Sequence, residues 1–244
     1  MELANTAAAD AEREAGSYAA AAFSLSLGGP ASIARSEPIE PRPLREALVA
    51  HSAFPHVRIA DTYARLRAIG ALRHRQYVAG QGKPYASAVR DAGTLLELAD
   101  FSSVNLYAVD RDGLTAAMRV GPLVGSNHPK ARHFQSIAED LNVSARRTLI
   151  CTRLVRDPRH SGRHAVDLVS FVRVRTVEAG WRYCLMQTSE ALVRFFERQG
   201  FTSTGRWSQD ESAGRLQTML LDTHDLPVRP KAARTGDIHI QGAA

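Results

Sequence analysis

The sequence predicts a mixed α/β domain, a central β-sheet with helices on both faces. Three observations predict it. A hairpin pattern spans residues 104–120. A strand, helix, strand, helix, strand alternation follows from residue 149. Apolar residues make up 44% of the 244-residue chain and charged residues 23%, enough apolar material to bury such a core.

The elements follow in order. Asp61 reads as the cap of a helix running to Val78, with Tyr63, Leu66, Ile69 and Leu72 along one side. Val104–Val109 and Leu114–Val120 alternate as strands around the turn Asp110-Arg111-Asp112-Gly113. His133–Leu141 is a short helix and Leu149–Val155 the third strand. Ala165–Ala179 is a helix apolar on most faces, which belongs against a sheet, and Gly180 ends it. Tyr183–Gln187 is a strand. Glu190–Gln199 is a helix capped by Ser189 and stopped by Gly200, and Phe201–Thr204 and Leu216–Leu221 are the last strands. The packed domain is expected over residues 56–226. Residues 1–44, rich in Ala, Ser, Gly and Pro, and residues 227–244 read as tails.

Composition narrows the function classes. No apolar run approaches the roughly 18 residues of a membrane span, and the N-terminus lacks the basic and apolar regions of a secretory signal. The two cysteines, Cys151 and Cys184, sit in separate strand-like runs, so neither a disulfide framework nor a zinc site is expected and a reducing cytoplasm fits. No cluster of metal-ligating residues is visible. A net charge of +6 favours anionic partners, but the arginines are dispersed, which argues against nucleic acid.

Two blocks carry a family resemblance. Arg153-Leu154-Val155-Arg156-Asp157-Pro158 resembles the strand and exit turn before the pantetheine-binding loop of GNAT-like acyl-CoA N-acyltransferases. Val193-Arg194-Phe195-Phe196-Glu197-Arg198-Gln199-Gly200-Phe201 is similar to their late F-Y-E-x-x-G-F signature. Further upstream, Leu72-Arg73-His74-Arg75-Gln76-Tyr77-Val78 and Asp100-Phe101-Ser102-Ser103-Val104-Asn105 resemble segments of the long-chain N-acyl amino acid synthases, as do Met118-Arg119-Val120 and Leu221-Asp222-Thr223-His224-Asp225-Leu226. Those enzymes share a fold with the acyl-homoserine lactone synthases. The resemblance implies a GNAT-like sheet and transfer of a fatty acyl group from acyl-CoA or an acyl carrier protein to the amine of an amino acid or similar molecule. The donor would be a co-substrate, with no permanently bound cofactor. Three positions depart from the patterns: His164 stands where a glycine is usual, Phe196 where many acetyltransferases carry an acid tyrosine, and Ile150 where the lactone synthases carry glutamate, which disfavours lactone synthesis.

Acyl transfer to an amine needs a donor for the developing oxyanion and a grip on both substrates. On the resemblance, the oxyanion amide falls at Leu154 or Val155, with Val155 preferred. The helix start Ser161, Gly162, Arg163, His164 and Ala165 would hold pantetheine or phosphate through open N–H groups. Arg153, Asp100 and Arg119 are the candidate catalytic set. Either an arginine binds the acceptor's carboxylate, or Asp100 forms a structural ion pair with Arg119 or Arg153. Arg73, Arg75 and Tyr77 either meet acceptor or carrier, or form a solvated face. His160 and His164 are candidate bases or plain loop residues, and Cys184 is a core residue or an acyl-cysteine. Three other readings stay open: an acetyl-CoA-dependent acetyltransferase, a non-catalytic carrier-binding module and, least favoured, nucleic-acid binding.

Overall fold

The computed structural model describes residues 40–85 and 93–223. Seven strands form one sheet in the order β1-β2-β3-β4-β5-β7-β6. They are β1 Val57–Ile59, β2 Val104–Asp110, β3 Gly113–Pro122, β4 Thr148–Arg156, β5 Tyr183–Ser189, β6 Thr202–Asp210 and β7 Gly214–Asp222. Only β4 and β5 pair in parallel; the other neighbours are antiparallel. The parallel step follows from the helix between them, because parallel neighbours need a long crossover.

That crossover is α5, Arg163–Glu178. It lays Leu168, Phe171 and Val172 on one sheet face, against Met118, Leu149, Cys151 and Met186. Gly180, at φ 88°, ends the segment in a conformation an L side chain rarely adopts. α1 (Leu44–Ala47) and α6 (Val193–Arg198) join the same face. The opposite face is covered by α2 (Tyr63–Arg73), through Ile69 and Leu72, and by α4 (Ala131–Asp140), through Phe134 and Ile137. Fully burying each such side chain stabilises by about 1.5–3 kcal/mol. Among the described residues, no helix is long and apolar enough to cross a membrane.

Several boundaries differ from expectation. α2 is capped by Thr62, whose hydroxyl accepts the Arg65 N–H at 3.3 Å, while Asp61 pairs with exposed Arg65 instead. After Arg73 the helix widens into a π-helix, His74–Ala79, closed by Gly80 N–H to Arg75 O at 2.9 Å. The expected helix Glu190–Gln199 is a 3-10 turn, Glu190–Leu192, followed by α6, and Ser189 makes no side-chain cap. β6 and β7 are longer than expected and form a hairpin with β7 inside it, while β1 and the short helix α3 (Leu98–Phe101) were not anticipated. The packed unit also begins before residue 56. Leu44, Ala47, Leu48 and Phe54 are buried in the core under α5, and the Trp181 indole donates to Arg42 O at 3.1 Å. Residues 1–39 and 224–244, which hold most of both expected tails and the end of the Leu221–Leu226 motif, lie outside the described residues.

Candidate active site

The site begins where β4 and β5 part. They pair only at Thr148, Leu149 and Ile150, opposite Tyr183, Cys184 and Leu185. Beyond that, β5 stays with β7 and β4 stays with β3, so a wedge opens between adjacent strands. On the β3 side the register slips between Ala117 and Arg119, which leaves one extra residue on β4. The slip coincides with Arg153 in the left-handed region, φ 57°.

A cavity of about 1520 Å³ fills the wedge and reaches both sheet faces. On the α5 side its wall is apolar, with Cys151, Cys184, Met186, Val169, Val172 and Phe196. On the α2 and α4 side it is polar, with Tyr77, Glu97, His128, Lys130, Arg153 and Gln187.

Beside the polar half lies a buried ionic cluster. Asp100 caps the start of α3 by accepting the Glu97 N–H at 2.8 Å. It also accepts from Arg73 Nη1 at 2.7 Å and Arg119 Nη1 at 3.2 Å. Arg73 further donates to Asn105 Oδ1 at 3.0 Å. Glu97 takes Arg119 Nη1 at 2.9 Å and Arg153 through two donors, Nε at 2.8 Å and Nη2 at 2.5 Å. Arg153 also donates to the Tyr85 hydroxyl at 3.0 Å and lies over the Tyr85 ring. Three guanidiniums therefore face two carboxylates, one positive charge in excess. Arg73 and Arg119 are 0% and 1% exposed, and Arg73 Nε and Arg119 Nη2 are buried without a hydrogen-bond partner among the described residues.

The field of this cluster shows in its acids and bases. Burial alone would raise the Glu97 carboxyl, but the hydrogen bonds and charge of Arg153, then Arg119, hold it down to about 2. Burial pushes the Tyr77 phenol up to about 12, against the pull of Arg153. Its hydroxyl donates to Leu154 O at 2.6 Å and ties the π-helix to the β4 bulge. Burial, then the charge of Arg119, lowers the His128 imidazole to about 4.

No protein-family model and no curated protein matches this chain. Solved structures do. FeeM, an N-acyl amino acid synthase from uncultured soil microbes, aligns at 15% identity over 69% of this chain and 92% of its own, with a TM-score of 0.54. The acyl-homoserine lactone synthase LasI aligns at 12% identity over 68% and 89%, TM-score 0.55. BjaI, a CoA-dependent acyl-homoserine lactone synthase solved with SAM and isopentyl-CoA, aligns at 16% over 66% and 77%, TM-score 0.53. The chain has a GNAT-like acyltransferase fold.

Within that GNAT-like frame, the expected residues separate into groups. Arg153, Asp100, Arg119 and Arg73 come together in the cluster, with Asp100 held by Arg73 and Arg119 rather than by Arg153. Arg73 is thus no part of a solvated face. Tyr77 joins them through the bulge. Arg75 does not: its side chain is half exposed and lies 3.9 Å from Asp157. Glu97, the partner Arg153 needed, was missed. Its one sequence signal is its place three residues before Asp100, the spacing of a reciprocal helix cap.

The donor side also shifts. Leu154, Val155, Gly162 and Ala165 line the cavity, and a Cβ added to Gly162 would meet nothing within 4 Å, so backbone there is open to close approach. Asp157 donates its N–H to Thr115 O at 2.7 Å. Amides alternate along a strand, so Val155, two residues back and opposite Ala117, also directs its N–H to β3. By the same alternation the amides on the wedge side of this stretch are those of Leu154 and Arg156, so of the two expected residues Leu154, rather than the preferred Val155, presents its N–H there. The start of α5 offers fewer open amides than expected, because Arg163 N–H goes to Ser161 Oγ and Ala165 N–H to Gly162 O, both at 3.1 Å. The His164 ring turns from the cavity wall toward Thr115 Oγ1, 2.7 Å from its Nδ1, and stacks beside His56. His160 pairs with Asp110 at 2.8 Å. Cys184 lies 2.7 Å from Cys151, sulfur to sulfur, and burial keeps its thiol protonated, which suits a wall residue better than a nucleophile. Ile150, three residues before Arg153, is buried against the Phe134 cluster.

Proposed function

We propose that the protein is an N-acyltransferase that moves a long-chain fatty acyl group from a pantetheine thioester, on CoA or on an acyl carrier protein, to the amine of an amino acid. One observation carries this reading: a single cavity joins an apolar chamber under α5 and α6 to a buried cluster with one excess positive charge, through the gap between β4 and β5. Its volume of about 1520 Å³ exceeds the roughly 300–1,000 Å³ of ordinary small-molecule sites, more than an acetyl group requires. The similarity to an N-acyl amino acid synthase and to acyl-homoserine lactone synthases supports the same class.

On this reading the acyl chain lies in the apolar chamber, the thioester carbonyl in the wedge and the acceptor against Arg153. The free amine attacks the carbonyl carbon, its C–S bond breaks, and amide and thiol form with no net proton uptake. The β4 edge facing β5 supplies an amide to the developing oxyanion. The amine gives one proton to water as the amide forms and the leaving thiolate takes one back from water, because Phe196 has none to give and the Tyr77 proton is committed to Leu154 O.

The test is incubation of the purified full chain with acetyl-CoA, palmitoyl-CoA or palmitoyl carrier protein and the common amino acids, followed by mass spectrometry. N-palmitoyl amino acids are the expected product. Acetylation alone would replace this reading with the acetyltransferase one, and donor binding without any product would leave a carrier-binding module.

A further inference from the structure

His128 enters the polar half of the cavity from the loop that leads into α4. It is fixed on both sides, its N–H on Ser126 Oγ at 3.1 Å and its carbonyl on the Ala131 N–H at 2.9 Å. Its ring lies beside Phe134, centroids 5.8 Å apart, and the residue lines the same cavity as Arg153 and Glu97. The Lys130 backbone N–H donates to Nδ1 at 3.1 Å. Only an unprotonated ring nitrogen can accept, so in the neutral imidazole the proton sits on Nε2. Among the described residues Nε2 has no hydrogen-bond partner.

The charged groups acting on this ring are Arg119, Glu97, Arg153 and Lys130, a net positive surround that disfavours a further cation. Lys130 is itself held by Asp210 at 2.6 Å. The polar half therefore offers one excess charge and one neutral, directional donor, which fits a monoanion.

We propose that His128 is an acceptor-binding residue whose Nε2–H donates a hydrogen bond to the carboxylate of the amino acid, beside Arg153. The assignment rests on the acyl-transfer reading for the identity of the acceptor. The competing role is structural, in which Nδ1 merely caps the start of α4.

Two substitutions separate the roles. Asn places an oxygen where Nδ1 was, keeping the cap and losing the distal donor; Gln places a donor where Nε2 was and loses the cap. Binding of the common amino acids and of leucinamide is measured by calorimetry on the full chain, with and without a non-reactive palmitoyl-CoA thioether. His128→Asn should weaken amino-acid binding by about ten- to a hundredfold, the effect of one hydrogen bond to a charged group, and leave leucinamide binding unchanged. His128→Gln should recover most of the loss. Nitrogen-15 spectra should show the Nε2–H tautomer at neutral pH and its perturbation by the amino acid. Wild-type affinity in His128→Asn, an Nδ1–H tautomer, or no amino-acid binding under either condition would overturn the assignment. Because these readouts involve no turnover, amino-acid binding that depends on His128 without acylated product sinks the acyl-transfer reading alone. Product formation that His128→Asn leaves untouched sinks the His128 assignment alone.

Discussion

Arg153 holds a left-handed backbone conformation in the middle of a strand, which disfavours an L residue by roughly 1–2 kcal/mol. Its side chain over-determines the position, with two donors on Glu97, one on the Tyr85 hydroxyl and the guanidinium over the Tyr85 ring. The bulge and the ion pair are one device: the backbone kink turns Arg153 toward Glu97, and Glu97 keeps the kink populated. Replacing Arg153 with Ala removes the clamp but keeps a Cβ at positive φ, whereas Gly removes both. Glycine ordinarily weakens a strand, yet here Arg153→Gly should be more stable than Arg153→Ala by about 1 kcal/mol in urea unfolding. Both should remain folded, since Glu97 keeps Arg119, and both should lose most acceptor binding. Arg119→Ala differs. It strips a nearly inaccessible cation from two carboxylates, and a loss of about 3–5 kcal/mol is expected in the same assay.

At the scale of elements, the site depends on two local irregularities. An α-helix through residue 79 would stack Arg73 and Tyr77 one turn apart on the same stripe. The wider π-turn after Arg73 separates them, so Arg73 reaches Asp100 while Tyr77 reaches Leu154 O. The second irregularity is the divergence of β4 and β5, which leaves α5 as the wall of the apolar chamber. Val172 of α5 is 4% exposed and faces that chamber. Val172→Phe should fill the chamber from the side and move the preferred donor to shorter acyl chains, read as the chain-length distribution of products from mixed acyl-CoA. An unchanged distribution would place the acyl chain elsewhere.

For the whole molecule, the buried charges set the acid limit. The His128 imidazole titrates near 4 in the folded chain against a reference of 6.5, so the folded state binds fewer protons in that window. Its contribution to stability is complete above about pH 6.5 and is lost as pH falls toward 4. Glu97, near 2 against a reference of 4.5, contributes fully above about pH 4.5, and that is lost as pH falls toward 2. Melting temperature followed by circular dichroism should therefore fall in two stages on acidification, and His128→Asn should shrink the first stage, to which His133 and His164 also contribute, and leave the second.

Periodicity and turn residues were enough to determine the order of the strands and of every helix but α3 from residue 61 to residue 222, because amphipathic spacing is a local property. The same spacing exposed the hairpin of β2 and β3 and the crossover helix α5, and the motifs pointed to Arg73, Tyr77, Asp100, Arg119 and Arg153. Tertiary structure decided the rest. β7 lies between β5 and β6, residues 44–54 pack under α5, and Asp100 takes Arg73 rather than Arg153, none of which has a sequence period. Glu97 stayed hidden because a partner is chosen by distance in space, here 56 residues from Arg153. The amide at the wedge moved off Val155, to its neighbours Leu154 and Arg156, for a similar reason: which edge of a strand is already paired depends on its neighbour, and the neighbour is fixed only when the sheet forms.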